Sequence, residues 1–238
     1  MVTVFAGIPE PGFVTDLDRD HGAQDSAAWA ARRRREDRAA LAVAGRQPVH
    51  LDLPDIQFAA FAVPAIRALI ASSPDRFLSR VTQEPGLGND PDQLAAQLLA
   101  QVPRAPVVYG PAGIGGHPDH RDLAQATVRL ATAGREVWLY ADSPYYTRAG
   151  LPSWLPEGTE AGSAADESVN QALARLDRPG QRLVRHAHEL DDAAFERKLA
   201  AIRRYETEYP AIIADLDRSP AGIGSLRHET YWKIEHAD

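Results

Sequence analysis

The sequence predicts an α/β protein with a Rossmann-like parallel sheet flanked by helices on both faces. Short apolar runs rich in β-branched residues alternate along the chain with longer segments rich in Ala, Leu and charged residues. This alternation of strand and helix is typical of parallel sheets, because each crossover helix must pack back onto the sheet. A chain of 238 residues can build one sizeable core, so we expect a single domain over its whole length.

The strand predictions rest on short apolar runs that end at glycine, proline or polar residues. We expect strands at Val2–Ala6, Val49–Leu53, Pro106–Tyr109, Glu136–Tyr140 and Arg182–His188, followed later by a closing segment at Glu229–Ile234. The first of them begins almost at the first residue, which is unusual for a domain. The third runs directly into a glycine-rich segment.

The helix predictions rest on helix-forming composition and on end signals. We expect helices at Ala27–Ala44, Phe58–Ser72, Pro91–Gln101, Asp122–Ala133 and Asp191–Tyr205, and a further one from Pro210. Asp25 or Ser26 can cap the first helix, and Gly45 stands where a helix commonly ends. The polar stretch of Gly, Ser and Ala near residues 157–168 is expected to be a loop.

Composition and charge argue against several classes of protein. The formal net charge is −7, which argues against a broad phosphate-binding surface and therefore against nucleic acid as a partner. No run approaches the roughly 20 apolar residues of a membrane span, and the amino terminus does not resemble a signal peptide. We therefore expect a cytoplasmic protein without membrane association. The chain contains no cysteine, so His, Asp or Glu must hold any metal ion.

The most informative segment joins a predicted strand to a predicted helix. Residues 109–121 read Tyr-Gly-Pro-Ala-Gly-Ile-Gly-Gly-His-Pro-Asp-His-Arg. Its glycines permit a tight turn at the carboxyl end of a strand, which is where open parallel sheets bind ligands. His117 and His120, with Asp119 between them, suit metal ligation and acid–base chemistry. Asp119 could instead only cap the helix, but the glycine-rich strand exit favours the functional interpretation.

The run Gly115–His120 resembles the second signature of the LmbE-like (PIG-L) deacetylases, a family that removes acetyl groups from amino sugars and related small metabolites. Other parts of the chain are similar to further positions of that family. These are Val2–Gly7, Arg33-x-x-Glu36, His50–Asp55, Tyr140–Tyr145, Lys198 with Tyr205, and Glu229–Trp232. The resemblance thus extends over nearly the whole chain.

The resemblance implies a reaction and a set of roles. It implies that His120 is a zinc ligand, that His117 steadies or protonates the tetrahedral intermediate, and that Asp119 orients an imidazole. The implied cofactor is Zn²⁺ or another divalent metal, and the implied substrate is an N-acylated small molecule such as an amino sugar or a glycosylated metabolite. Such a metal lowers the pKa of its bound water and polarises the amide carbonyl, while a carboxylate accepts the proton of the water.

One family feature is absent from residues 1–238: the first signature, Ala-His-Pro-Asp-Asp-Glu, which supplies a His ligand, an Asp ligand and the general base. A catalytic zinc normally has three protein ligands, so His120 alone cannot hold it. The gene start could lie too late, leaving off a strand–helix unit of about 30 to 40 residues. Because the first strand of a doubly wound sheet is central, we favour this truncation. The alternatives are a non-catalytic relative that binds small molecules, and recruited ligands such as His50 and Asp52.

Four further side chains are candidates for contact with the substrate: Asp52, Asp142, Tyr145 and Tyr146. Asp52 shares a strand face with His50, because side chains two apart on a strand point the same way. The other three follow a predicted strand at the same edge as the His117 loop, although the tyrosines could equally pack the rim. Arg33 and Glu36, three residues apart on a helix, are expected to form a structural ion pair.

Overall fold

The computed structural model describes residues 1–12, 14, 18–19, 21–61, 63–64, 66, 88–156, 158, 162–218 and 222–237. The chain forms two compact units. The first comprises Met1–Gly88 and Glu196–Pro210, and the second comprises Asn89–Phe195 and Ala211–Asp238. The single-domain organisation over residues 1–238 stays a prediction.

The described amino-terminal part of the first unit includes a short parallel sheet and helical segments. Its elements are β1 (Val2–Thr3), α1 (Ser26–Val43), β2 (Val49–His50) and α2 (Ile56–Phe61). β1 and β2 pair in parallel. Asp25 caps α1 as predicted, since its side chain accepts a hydrogen bond from the backbone N–H of Ala28 at 2.8 Å. The predicted extension of α2 to Ser72 lies largely outside the described residues.

The second unit contains a four-stranded sheet and its covering helices. Its elements are α3 (Pro91–Gln101), β3 (Val107–Pro111), α4 (Pro118–Thr132), β4 (Glu136–Tyr140), α5 (Ala164–Ala174), β5 (Gln181–Glu189) and β6 (His228–His236). Short 3₁₀ helices occupy Tyr145–Thr147 and Gly222–Arg227. Between β5 and β6 the chain forms α6 (Asp192–Ile202) and α7 (Tyr209–Arg218), each of which includes residues of both units.

The strands of the larger sheet lie in the order β3-β4-β6-β5. β3 and β4 are parallel, whereas β6 is antiparallel to both of its neighbours. The predicted α/β class is confirmed, and the larger sheet is mixed rather than purely parallel. No helix in the described part of the chain combines the length and the hydropathy that a membrane span requires.

The close packing of α4 on the sheet brings the start of this helix to the end of β3. α4 contacts β3, β4 and α3. In β4, Val137 and Leu139 are fully buried. A β-carbon at Gly110 would lie 2.3 Å from Oγ1 of Thr127 in α4. The helix can approach the strand this closely only because position 110 has no side chain.

Helix α5 corrects the loop predicted for residues 157–168 from Ala164 onward. The Ser163 hydroxyl accepts a hydrogen bond from the backbone N–H of Asp166 at 3.4 Å. The Asp166 carboxylate accepts from the backbone N–H and hydroxyl of Ser153 at 2.8 and 2.7 Å, and from the Gly162 N–H at 3.1 Å. Ser163-x-x-Asp166 resembles a capping box, so a helix signal was present in the sequence.

Replacing Asp166 with asparagine is expected to destabilise the protein by about 1 to 3 kcal/mol at neutral pH, because buried donors lose their charged acceptor. Burial by itself raises the pKa of Asp166, but hydrogen bonds from Ser153 and Gly162 and the charge of Arg185 lower it more, so the pKa lies below its ordinary value. A lowered pKa contributes stability above the unfolded-state pKa of about 3.9, and this stability is lost as the pH falls through the folded-state value. Urea denaturation at neutral pH and near pH 3 measures the difference.

The control for this variant is Glu167→Gln, which removes the same charge from the same helical turn at an exposed position. We expect it to change the free energy of unfolding by less than about 0.5 kcal/mol. A destabilisation by Asp166→Asn that stays equally large at pH 3 would contradict the assignment of the effect to the ionised carboxylate.

A buried polar network centred on Asp37 connects the parts of the first unit. The Thr3 hydroxyl donates to Asp37 Oδ2 at 2.7 Å, the Tyr205 hydroxyl donates to Oδ1 at 2.6 Å, and His50 Nε2 lies 2.8 Å from Oδ2. The side chain of His50 is only 6% exposed. Because its side chain is buried and its Nε2 contacts Asp37, His50 belongs to this structural network, and its role as a recruited metal ligand stays a prediction.

The predicted ion pair between Arg33 and Glu36 is corrected by the contacts of α1. Glu36 pairs with Arg32 at 3.0 Å and accepts hydrogen bonds from the N–H and hydroxyl of Thr207. Arg33 instead pairs with Glu208 at 2.9 Å. The i,i+4 spacing of Arg32 and Glu36 is as favourable for an ion pair as i,i+3. The contacts of residues 207–208 with this helix determine that Glu36 pairs with Arg32 and that Glu208 pairs with Arg33.

Candidate functional site

The loops that follow β3 and β4 meet at one edge of the larger sheet. The parallel register aligns Pro111 with Tyr140. Beyond the paired strands, the backbone N–H of Ala112 donates to the carbonyl of Tyr140 at 2.9 Å. The glycine-rich loop and the segment that begins at Asp142 are therefore neighbours, as the sequence predicted.

We call the place where the loops after β3 and β4 meet the junction. Asp142 lies at its centre, and the Asp142 side chain is 0% exposed. Its Oδ2 accepts hydrogen bonds from the backbone N–H groups of Ala112 and Ile114 at 3.1 and 3.0 Å. Its Oδ1 lies 2.6 Å from Nδ1 of His120. Both carboxylate oxygens are engaged, so the geometry places Asp142 to orient His120 and leaves no exposed atom for a substrate. The substrate contact assigned to Asp142 stays a prediction.

The hydrogen bond to Asp142 determines which nitrogen of His120 is available. An ionised carboxylate only accepts hydrogen bonds, so Nδ1 of His120 donates to Asp142, and in the neutral imidazole this leaves the lone pair on Nε2. His120 lies in the first turn of α4, and its side chain is 37% exposed. Histidines that bind metals commonly donate their other ring N–H to a carboxylate, which sets the tautomer and the ring direction. His120 and Asp142 have this arrangement.

His117 and Asp119 lie beside His120. His117 is the residue before α4, and Pro118 opens the helix, a position at which proline is favoured because no backbone N–H is needed there. The His117 and His120 rings lie 5.5 Å apart between centroids at 73°. Asp119 is 4% exposed, and one of its oxygens lies within 4.8 Å of a His117 ring nitrogen. The structure thus brings together all three residues of the predicted motif.

The two candidate tyrosines have different surroundings. The Tyr145 ring lies 5.5 Å from the His120 ring at 86°, so Tyr145 borders the motif. Tyr146 is 2% exposed, and its hydroxyl donates to the carbonyl of His228 at 3.0 Å. Burial, and then the charge of Glu229, raises the pKa of Tyr146 above its ordinary value. Tyr146 is therefore placed for packing, and its predicted contact with substrate has no geometric support.

Asp52, the remaining candidate, belongs to the first unit. Its side chain is 85% exposed and forms an ion pair with Arg34 at 3.0 Å. The junction at the end of β3 and β4 belongs to the second unit. The substrate contact of Asp52 stays a prediction.

The donor set of the junction fits a divalent transition metal in chemical type. His117, Asp119 and His120 offer imidazole nitrogens and a carboxylate, which are the ligands that zinc uses in proteins without thiolates. The strongest evidence for fit is His120, because its Nδ1 lies 2.6 Å from the carboxylate of Asp142 and its Nε2 is not used in this contact. We therefore regard His120 as a group able to hold a metal through Nε2.

Comparison with solved structures shows the fold. No protein-family model matches the chain, and no curated protein matches it. The chain is similar to the A40926 pseudoaglycone deacetylase Dbv21, with 21% identity and a TM-score of 0.63 over 100% of this chain and 85% of that one. It is also similar to a deacetylase of the teicoplanin biosynthesis pathway, with 22% identity and a TM-score of 0.66 over 100% and 86%.

A third similar structure is the zinc-inhibited form of teicoplanin deacetylase Orf2, with 18% identity and a TM-score of 0.61 over 100% of this chain and 87% of that one. All three identities are low, so the likeness shows the fold and not the activity. The chain has the mixed α/β fold of these deacetylases.

The sequence did not predict that Asp142 orients His120. A signal for it was present, because Asp142 follows a strand parallel to the one that leads into the histidine motif. The carboxyl ends of parallel strands lie at the same edge of a sheet. The exact partner nevertheless depends on the register of β3 and β4, which no local pattern specifies.

Proposed function

We propose that this protein is a metal-dependent hydrolase of the LmbE-like type, which removes an acyl group from an N-acylated small molecule. The observation that carries the proposal is the pair formed by His120 and Asp142. Nδ1 of His120 lies 2.6 Å from Oδ1 of Asp142, whose side chain is fully buried. The His120 side chain is partly exposed, and its Nε2 is left as a ligand atom. Histidines that bind metals commonly donate their other ring N–H to a carboxylate, as in this pair.

Each residue of the junction has a proposed role in metal binding or proton transfer. His120 would hold the metal, and Asp142 keeps the His120 proton on Nδ1. His117, whose ring borders that of His120, would donate a proton to the amine nitrogen that leaves. Asp119, one oxygen of which lies within 4.8 Å of a ring nitrogen of His117, would orient that imidazole. When bound, Zn²⁺ would supply Lewis-acid activation of the amide and a water of lowered pKa.

The proposed substrate is an N-acylated amino sugar carried by a larger metabolite. Support comes from the shared fold, since similar structures are described as deacetylases of teicoplanin and A40926 pseudoaglycone, and one is a complex with teicoplanin. Cytoplasmic location and the lack of nucleic-acid or membrane partners stay predictions.

A second candidate function is the binding of a small molecule without hydrolysis. The observation that favours it is the absence of an Ala-His-Pro-Asp-Asp-Glu run from residues 1–238. The same fold and the same junction could then recognise a sugar derivative without cleaving it. Metal content and product release distinguish the two candidates.

The test compares the unmodified chain with His120→Ala, and uses His236→Ala at an exposed strand end as the matched control. The protein is prepared both as residues 1–238 and as the product of any in-frame start upstream of Met1. In at least one of the two preparations, we expect about one metal ion per chain by plasma emission spectroscopy and release of acetate from an N-acetylglucosamine derivative. His120→Ala should lose the metal and reduce kcat/KM by roughly a thousandfold or more, as expected when a metal ligand is removed.

The control should keep both properties. Absence of metal and of acetate release from every preparation would overturn the hydrolase proposal. Binding of the sugar derivative in the same preparations, measured by calorimetry, would then support the second candidate.

A further inference from the structure

The contact with Asp142 restrains the His120 ring at one edge only. Turning about the Cα–Cβ and Cβ–Cγ bonds carries Nδ1 away from Asp142, so this one hydrogen bond and the rings packed around the imidazole oppose such a turn. Since 37% of the His120 side chain is exposed, solvent offers no resistance to such a turn. A metal bond at Nε2 requires the lone pair, and therefore the ring plane, to point in one direction.

The Tyr145 ring supplies a contact that restricts this motion. Its plane is nearly perpendicular to that of His120, at 86°, with the ring centroids 5.5 Å apart. This T-shaped arrangement is a favoured geometry for aromatic pairs. The Arg148 guanidinium lies 4.5 Å from the centroid of the Tyr145 ring, so a cation–π contact holds the tyrosine as well.

Gly115 gives the Tyr145 side chain room to lie at this place. A β-carbon at position 115 would lie 2.6 Å from Cγ and 2.7 Å from Cβ of Tyr145, far inside van der Waals contact. The backbone of Gly115 also has a φ of +86°, which favours glycine independently. Gly116 has a similar φ of +76°, but a β-carbon added there would meet nothing within 4 Å. The two glycines therefore share backbone strain on substitution and differ in their contact with Tyr145.

We propose that Tyr145 is a positioning residue that holds the plane of the His120 imidazole, and that Gly115 is glycine in order to admit the Tyr145 side chain. The effect on metal binding rests on the proposed function, whereas the effect on the imidazole does not. The tyrosine acts through its ring and not its hydroxyl. Phenylalanine should therefore replace it, and leucine, which is similar in bulk but has no flat face, should not.

The first experiment follows the imidazole directly by ¹⁵N-detected NMR of the metal-free full chain. We expect a slowly exchanging His120 Nδ1–H signal in the unmodified protein and in Tyr145→Phe. Tyr145→Leu and Gly115→Ala should accelerate its exchange with water by about fivefold, which corresponds to the loss of about 1 kcal/mol of ring contact with the imidazole. Gly116→Ala should lose similar thermal stability to Gly115→Ala and should keep the signal.

The second experiment measures the binding of Zn²⁺ and the kinetics of N-acetylglucosamine deacetylation in the same proteins. Removing a group that orients a metal ligand typically lowers metal affinity about 10- to 100-fold. We expect that loss in Tyr145→Leu with restoration in Tyr145→Phe, together with a lower kcat and an unchanged KM. A merely structural role would lower thermal stability without this selective change.

The proposal is overturned if Tyr145→Leu leaves the exchange of the Nδ1–H unchanged, or if Gly115→Ala and Gly116→Ala affect that signal equally. It is also overturned if Tyr145→Phe behaves like Tyr145→Leu. Should the NMR result hold while no preparation binds metal or releases acetate, the positioning role stands and the proposed hydrolase function fails.

Discussion

Replacing Asp142 with asparagine is expected to lower metal affinity about 10- to 100-fold while the fold is retained. An asparagine side chain has one acceptor oxygen, and the N–H groups of Ala112 and Ile114 require it. The amide NH₂ then faces His120 and must donate to Nδ1. This moves the imidazole proton to Nε2, the nitrogen proposed to bind metal. Titration calorimetry with Zn²⁺ measures the affinity, and ¹⁵N chemical shifts report the tautomer.

The matched control for this variant is Asp122→Asn. Asp122 is an α4 aspartate that also accepts a backbone hydrogen bond, in this case from Asn89 N–H at 2.6 Å, but it does not contact His120. We expect its metal affinity to equal that of the unmodified protein. If His120 in Asp142→Asn kept its proton on Nδ1, or if Zn²⁺ affinity were unchanged, the proposed role of Asp142 would be wrong.

Replacing Asp37 with alanine should produce the largest loss of stability, about 3 to 5 kcal/mol. The carboxylate is the acceptor for the hydroxyls of Thr3 and Tyr205 and lies against His50 Nε2. Alanine leaves these polar groups in a buried place without their partner, and each such group costs about 1 to 3 kcal/mol. Thermal and urea denaturation measure the change in the free energy of unfolding.

Asp52→Ala is the control for Asp37→Ala, because it also removes an aspartate of the first unit, in this case one that pairs with Arg34. Its side chain is 85% exposed, and exposed ion pairs contribute about 0 to 1 kcal/mol. If Asp37→Ala destabilised the protein no more than Asp52→Ala, the buried network would not be a main source of stability in this unit.

Elements with strong local signals were predicted well. The bounds of Pro91–Gln101 and Glu136–Tyr140 agree with α3 and β4. The first has an aspartate cap and proline at its start, and the second alternates buried Val137 and Leu139 with more exposed residues. α5 was missed because its Gly, Ser and Ala content suggested a loop, although its capping signal was correct.

The histidine motif was predictable for a different reason. His117, Asp119 and His120 lie within one loop and one helical turn, so their proximity follows from chain connectivity alone. Their long-range partners do not. Asp142 lies beside His120 because the strand register aligns Pro111 with Tyr140. Tyr145 can pack against His120 because Gly115 has no side chain.

The amino-acid sequence by itself determined the α/β class, most helices and strands, and the histidine motif, because these depend on periodicity, end signals and neighbours along the chain. Only the tertiary structure decided that His50 belongs to a buried network, that Tyr146 is packed away, and that Asp142 orients His120. Each of those outcomes depends on which side chains strand register and helix packing bring together over tens of residues. Such contacts are set by the packing of the whole unit and leave no local pattern to read.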